Sequence, residues 1–185
     1  MTRRFYIRAT TIAASLFAAG YATVAIVDPL PRVIWNASAS VPIGFYRLTP
    51  ERDPSVGSLV AITPPERLAR WMVERGYLGK DVPLLKHVVG KSGARVCRSG
   101  DIVNVDGQPL ATARESDQFG RPLPFWQGCR TLRNGELFLL NPDHPDSLDG
   151  RYFGPLPADA VLGRAHPILT RDAPGAPLEW RSGHP

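Results

Sequence analysis

Ser40 is a candidate nucleophile because it lies in a short turn directly after an apolar segment long enough to cross a membrane. Residues 36–46 read Asn-Ala-Ser-Ala-Ser-Val-Pro-Ile-Gly-Phe-Tyr. Pro42 fixes its own φ and lacks a backbone donor, whereas Gly44 can adopt φ values closed to other residues. Such a turn can present the Ser40 hydroxyl and its backbone N–H to the same space, as an oxyanion site requires. The structural alternative is a plain Ser-x-Pro turn, because a lone serine needs a positioned base.

Lys86 is the candidate base, and it lies within the apolar run Leu-Leu-Lys-His-Val-Val at 84–89. If its side chain points inward, desolvation disfavours the ammonium and lowers the pKa from about 10.4. Lowering that pKa by about 3 costs about 4 kcal/mol. A protein tolerates this cost when the neutral amine has a role, such as accepting a serine proton. Periodicity alone favours the alternative, a solvated lysine on a half-exposed strand.

A third group of polar residues lies in the segment 141–154. The Ser147 hydroxyl could hydrogen-bond a neutral lysine amine and orient it, and Asp149 could pair with Arg151. The alternative is a surface turn rich in Asp, Pro and Ser. His144 raises the question of a Ser-His-Asp triad, since triads assemble in space rather than in sequence. Because two prolines flank His144 in this loop, we rank the lysine above it.

The two cysteines, Cys97 and Cys129, both follow the apolar segment. In an oxidising compartment they are expected to form one disulfide that closes a long loop, and the alternative is two unpaired core thiols. The chain has no Cys-x-x-Cys spacing and its four histidines are scattered singly. We therefore expect no metal site.

The N-terminal segment 9–27 carries no charge and would span roughly 30 Å as a helix. Arg3, Arg4 and Arg8 precede it and Asp28 follows it, so the positive-inside rule predicts a cytoplasmic N-terminus. A cleaved signal peptide is the alternative, although its apolar region is usually only about 7–15 residues long. We therefore favour an uncleaved anchor.

The composition and the remaining patterns indicate one mostly β domain outside the cytoplasm. The chain has 185 residues and a net charge of +5, without a dense basic stripe, so we expect no nucleic-acid partner. Apolar runs predict strands, and the segment from Pro64 to Arg75 predicts a helix. The predicted strands are 45–48, 58–62, 84–89, 95–97, 136–140 and 161–169, with a hairpin at 101–109. The predicted organisation is a cytoplasmic N-terminus at 1–8, a transmembrane anchor at 9–27, an extracytoplasmic domain at 28–170 and a flexible tail at 171–185.

Three segments together resemble the ordered boxes of bacterial signal peptidase I. They are Ser-x-Pro-x-Gly-x-Tyr at 40–46, Leu-Leu-Lys-His-Val-Val at 84–89 and Ser-x-Asp-Gly-Arg-Tyr-Phe-Gly at 147–154. The resemblance is closer to the TraF-type branch from conjugative transfer systems, and Arg-Gly-Tyr-Leu at 75–78 and Asn36 also look like that branch. Typical signal peptidases have one more residue between the serine and the proline, and a Gly-Asp pair where this chain has Gly-Ala.

The resemblance implies an antiparallel β fold, preceded by a transmembrane helix, with a serine-lysine dyad in a cleft near the membrane surface. Its implied roles are Ser40 as nucleophile, Lys86 as general base, Ser38 as second oxyanion donor, Ser147 as the residue that orients the lysine, and Asp149 with Arg151 as the pair that holds the loop. No cofactor is implied.

The function implied by the resemblance is a serine endopeptidase of the bacterial inner membrane that processes a conjugative pilin precursor. In some members of this branch the acyl group passes to the pilin's own N-terminal amine, which gives a cyclic subunit. The implied partners are the precursor, the lipid bilayer and components of a type IV secretion or conjugation system. Two alternatives remain: a general signal peptidase that cleaves many exported precursors, and a noncatalytic membrane-anchored factor for pilus assembly.

Overall fold

A computed structural model of the protein describes residues 3–27 and 31–181. The chain divides into two units, Met1–Pro31 and Arg32–Pro185. The first unit contains helix α1, Arg3–Val27, which begins before the predicted boundary and includes the basic residues. Its 25 residues correspond to about 37 Å at 1.5 Å per residue. By length and composition α1 is therefore compatible with a membrane anchor, while Asp28, residues 1–2 and residues 182–185 lie outside the described residues.

The second unit is mostly antiparallel β, as predicted. Its strands are β1 Val33–Asn36, β2 Ile43–Thr49, β3 Leu59–Ile62, β4 Leu84–Gly90, β5 Arg95–Ser99, β6 Ile102–Val105, β7 Gln108–Thr112, β8 Gly128–Thr131, β9 Glu136–Leu140, β10 Leu156–Pro157, β11 Val161–Arg171 and β12 Glu179–Trp180. Its helices are α2 Glu66–Glu74, α3 Gly150–Phe153 and a 3₁₀ turn at Ala158–Ala160. Helix α2 agrees with the predicted one, and Gly76 follows it with φ of 71°, as expected for a helix end.

The strands form two sheets. The larger has the order β1-β2-β11-β3-β4-β9-β10, with β12 paired to β11, and the smaller has the order β7-β6-β5-β8. The compact apolar strand β9 has four buried residues in succession and packs on both of its faces. Strands β4 and β9 are direct neighbours, so the chain that leaves β9 begins beside the middle of β4. This neighbour relation positions the site described below.

The C-terminal segment differs from the flexible tail that we expected from residue 171. Strand β11 continues to Arg171, and β12 folds back on it with Leu169 opposite Trp180. The Arg181 side chain donates to the Thr170 hydroxyl at 2.9 Å. The proline- and glycine-rich sequence between the strands is thus a turn that returns the chain to the sheet. The segment is ordered because Trp180 pairs with β11. Amino-acid composition, on which the prediction of a flexible tail was based, gives no information about strand pairing.

The predicted disulfide between Cys97 and Cys129 is confirmed. The two residues lie directly opposite each other on β5 and β8, with their Cα atoms 4.0 Å apart. Neither cysteine is in the core, because Cys97 is half-buried and Cys129 is exposed. The alternative of two unpaired core thiols is therefore wrong.

Candidate active site

Ser40 lies in the loop that joins β1 to β2, which are paired antiparallel strands. Its hydroxyl is 3.0 Å from the Ser38 hydroxyl, and its backbone N–H donates to the same Ser38 oxygen at 3.3 Å. Ser40 is half-buried and Ser38 is exposed. The loop therefore brings two hydroxyls and one backbone donor together.

The Asn36 side chain holds this loop in shape from inside. Its amide donates to the carbonyl oxygens of Ser38 at 2.7 Å, Val41 at 3.2 Å and Pro42 at 3.1 Å. Its oxygen accepts the Ser38 N–H at 3.1 Å. The buried Tyr46 hydroxyl donates to the Pro42 carbonyl at 2.6 Å. Because these bonds fix the backbone on both sides of the serine, the Ser40 hydroxyl has a defined place.

Gly44 fulfils the predicted backbone requirement at the start of β2. Its φ is 149°, and a Cβ atom there would lie 2.1 Å from the Leu169 carbonyl oxygen on β11. No side chain fits in that space. The glycine is therefore needed for close approach of the two strands as well as for its conformation.

Lys86 points into the protein, so the solvated-lysine alternative is wrong. The residue is 4% exposed, and its Nζ donates to the Ser147 hydroxyl at 2.8 Å. Burial lowers the pKa of its amine to about 8; the Asp149 charge opposes this effect and the Arg151 charge adds to it. The amine is thus partly neutral near neutral pH.

The segment from Asn141 to Phe153 buries the predicted site residues, so the interpretation of a surface turn is wrong for them, although Asp143 and Asp146 are exposed. Ser147, Asp149 and Arg151 are each at most 3% exposed. Arg151 Nε and Nη2 donate to the two Asp149 carboxylate oxygens at 2.8 and 2.9 Å. Asp149 also accepts the backbone N–H of Arg151 at the start of α3. The predicted pair therefore closes the loop on itself.

The remaining donors of Arg151 bind backbone carbonyls inside the loop. They reach Asn141 at 2.9 Å, His144 at 3.1 Å and Pro145 at 3.2 Å. A buried ion pair stabilises a fold only when its other hydrogen-bonding groups are also satisfied. The hydrogen-bonding groups of Arg151 are satisfied in this way, so the loop holds the Ser147 hydroxyl against Lys86.

One cavity of about 670 Å³ connects the Ser40 loop with the Ser147 loop. Ser38, Ser40, His144 and Ser147 all line it, and apolar side chains form much of the remaining wall. The apolar wall includes Ile34, Trp35, Met72, Tyr77, Leu78 and Leu84. Within the described residues no hydrogen bond joins Ser40 to Lys86. The structure thus brings Lys86 into direct contact with Ser147, and it places Ser40 on the wall of the cavity that Ser147 also lines.

Comparison with known proteins identifies the family of the chain. The family model described as signal peptidase, peptidase S26, matches residues 4–170. The chain belongs to the peptidase S26 family. Among S26-like relatives, the "Probable conjugal transfer protein TraF" of Sinorhizobium fredii is 40% identical over 73% of this chain and 76% of its own length. The "Plasmid transfer protein TraF" of Escherichia coli is 33% identical over 86% of this chain and 90% of its own.

A further relative of this S26 member is the "Conjugal transfer protein TraF" of Agrobacterium fabrum, 36% identical over 74% of this chain and 82% of its own. Among solved structures, a signal peptidase I from Enterococcus faecalis matches with a TM-score of 0.36 at 20% identity, covering 60% of this chain and 96% of that one. The resemblance to TraF-type members is therefore confirmed at the level of sequence.

The sequence did not single out one buried polar residue of this candidate site, Asn141. It is 1% exposed and directly follows β9. The only signal was an asparagine between an apolar strand and a proline, which is equally typical of an ordinary turn. Among the described residues no group of three or more His, Cys, Asp or Glu is arranged to hold a metal ion.

Proposed function

We propose that this S26 member is a membrane-anchored serine endopeptidase in which Ser40 is the nucleophile and Lys86 the general base. The observation that carries the proposal is the buried Lys86 amine, held 2.8 Å from Ser147 with a pKa of about 8. A general base works best when its pKa lies near the operating pH. An exposed lysine would be protonated in nearly every molecule at that pH.

The reaction then follows acyl-transfer chemistry. Ser40 Oγ forms a bond to the scissile carbonyl carbon as its proton passes to neutral Lys86. The oxyanion accepts hydrogen bonds from the Ser40 N–H and the Ser38 hydroxyl. The C–N bond breaks as the Lys86 ammonium returns the proton to the leaving amine, which leaves an ester on Ser40. A water molecule, deprotonated by Lys86, then hydrolyses the ester.

The free-state geometry supports this sequence of steps. In the free protein the Ser40 N–H donates to the Ser38 hydroxyl oxygen over a long distance of 3.3 Å. A substrate oxygen could take the place of that acceptor. In the free protein the Ser40 hydroxyl bonds to Ser38, whereas the Lys86 amine bonds to Ser147. Catalytic hydrogen bonds often form only when substrate is bound, so we expect the contact between Ser40 and Lys86 to form in the complex with the precursor.

The proposed substrate is a conjugative pilin precursor at the bacterial inner membrane. Support comes from the relatives named for conjugal or plasmid transfer. Support also comes from α1, whose N-terminal arginines favour a cytoplasmic N-terminus and a periplasmic catalytic unit. Conjugation or type IV secretion components are the proposed partners. The acyl group goes either to water or to the pilin's own N-terminal amine.

Processing of the precursor by Ser40→Ala and Lys86→Ala variants tests the dyad. We expect both variants to abolish cleavage, while the matched Ser92→Ala and Lys91→Ala variants cleave normally. A Ser40→Ala variant that still supports pilus formation would instead favour the noncatalytic assembly factor. Broad cleavage of unrelated exported precursors would favour a general signal peptidase.

The mass of the mature pilin tests cyclisation. A cyclic product lacks one water molecule relative to the linear chain with the same ends. Detection of only the linear mass would reject cyclisation and leave the peptidase proposal intact.

A further inference from the structure

Asn141 binds both chain neighbours of Lys86. Its side-chain amide donates to the Leu85 carbonyl at 3.0 Å, and its side-chain oxygen accepts the His87 backbone N–H at 3.3 Å. The His87 ring Nδ1 lies 3.1 Å from the same oxygen. One buried side chain thus fixes the backbone immediately before and immediately after the lysine.

The hydrogen bonds of Asn141 take the place of strand pairing between β4 and β9, which ends at His87 and Leu140. On β4, His87 pairs with Leu140 and Val88 with Leu139 of β9. The β9 partner strand stops at Leu140, so Leu85 and Lys86 extend beyond the ladder on that side. The Asn141 amide supplies a donor and an acceptor where the next backbone pair would have been. Backbone groups buried without such partners are costly.

The backbone of Asn141 connects the same point to the Ser147 loop. Its N–H donates to an Asp149 carboxylate oxygen at 3.0 Å, and its carbonyl accepts from Arg151 at 2.9 Å. Hydrogen bonds therefore run without a break from the β4 backbone, through Asn141, to the pair that closes the loop. Lys86 and Ser147 project from the two ends of this connection.

We propose that Asn141 is a positioning residue that fixes the Lys86 amine relative to Ser147 and the Ser40 loop. This inference rests on the proposed role of Lys86 as general base. Asn141 contacts neither of the two reacting groups, so it acts through the backbone of β4. Misplacing a catalytic group by about 1 Å can lower the rate by about 100-fold.

Two substitutions separate positioning from general stability. Asn141→Ala removes the connection and adds no charge. Asn141→Asp keeps the acceptor for the His87 N–H but places a second acceptor against the Leu85 carbonyl. It also adds a negative charge near Lys86, beyond the Asp149 and Arg151 charges already facing the amine. The aspartate variant conserves volume, so it is informative even where the alanine variant fails to fold.

The assay measures kcat, KM and their pH dependence with the full chain in detergent micelles and a precursor-derived peptide. We expect kcat to fall about 10- to 100-fold in both variants with KM unchanged. In Asn141→Asp the rise of kcat/KM with pH should also move to higher pH, because a carboxylate favours the ammonium. Val103→Ala, a core truncation in the smaller sheet, serves as a control for lost stability, and Asn134→Ala controls for the substitution itself.

The result decides between two distinct failures. If Lys86→Ala abolishes cleavage but a folded Asn141 variant keeps the kcat and pH profile of the wild type, the positioning role is rejected and the dyad stands. The positioning role is also rejected if an Asn141 variant has a kcat no lower than that of a Val103→Ala protein with the same thermal midpoint. If Lys86→Ala itself retains cleavage, the proposed function fails, whatever the Asn141 variants do.

Discussion

Changing the pH tests the chemical state of Lys86 most directly. With a pKa of about 8, the amine is neutral in about one-tenth of molecules at pH 7 and about nine-tenths at pH 9. We therefore expect kcat/KM for precursor cleavage to rise about tenfold between these values and then to level off. An unperturbed lysine would give about a 100-fold rise with no plateau below pH 10, and a histidine base would give a plateau already near pH 7.

The same pKa predicts an effect on stability that does not depend on catalysis. The folded-state pKa is lowered from 10.5 to about 8, so the unfolded chain binds more protons between these values. Stability therefore rises with pH across this window, and below about pH 8 the full penalty of about 3 kcal/mol is present. Lys86→Met removes the penalty. This variant should be inactive yet more stable than the wild type at pH 7, and it should be less stable near pH 11, where the penalty is absent and only the lost Ser147 hydrogen bond remains.

Thermal unfolding of the full chain in detergent micelles at pH 7, 9 and 11 measures this difference, alongside the rate profile. Lys91→Met serves as the matched control, because Lys91 lies beyond the end of β4 and pairs with the exposed Asp53. A stability difference between Lys86→Met and the wild type that is the same at pH 7 and pH 11 would refute the argument from burial. A wild-type rate profile that is already flat above pH 7 would refute the lysine as base and favour His144.

Three further variants test the scaffold. Gly44→Ala should lower stability by about 3 kcal/mol, since its Cβ would meet a β11 carbonyl at 2.1 Å; an unchanged thermal midpoint would contradict this. Arg151→Lys keeps the charge but cannot bind both Asp149 oxygens and the loop carbonyls, so we expect a loss of about 3 kcal/mol in chemical denaturation, and equal stability would reject that role. Replacing Cys97 and Cys129 by serine opens a loop with a sequence separation of 32 and should cost about 3–4 kcal/mol; equal denaturation of the double variant and the wild type would contradict this.

The sequence predicted most of the strands that bury apolar side chains, including β2, β5 and β11, whose burial alternates or is mixed. Strands β3, β4 and β9 were all predicted, because their apolar side chains pack on the core. Strand β8 was missed because its four residues are all exposed. Its place is determined by pairing with β5, which has no local signature, and by the disulfide, which the sequence predicted without locating a strand. The short strand β12 was missed for the same reason.

For the site, the sequence predicted the chemical groups better than their connections. The predicted contact of Lys86 with Ser147 and the predicted pair of Asp149 with Arg151 are present. The part played by Asn141 was missed, because it depends on where β9 ends relative to β4. Strand register is a tertiary property, and a single asparagine before a proline gives no information about it.

The buried pair of Asp149 and Arg151 explains how a carboxylate can lie near Lys86 while the pKa of the amine stays below its usual value. Alone, the Asp149 charge raises the pKa of the amine, whereas the Arg151 charge lowers it. Because Arg151 binds both carboxylate oxygens, the two charges oppose each other at Lys86, and desolvation remains the main influence on its pKa. The loop can thus use a strong ionic contact to hold Ser147 in place. It does so without losing the partly neutral amine on which the proposed chemistry depends.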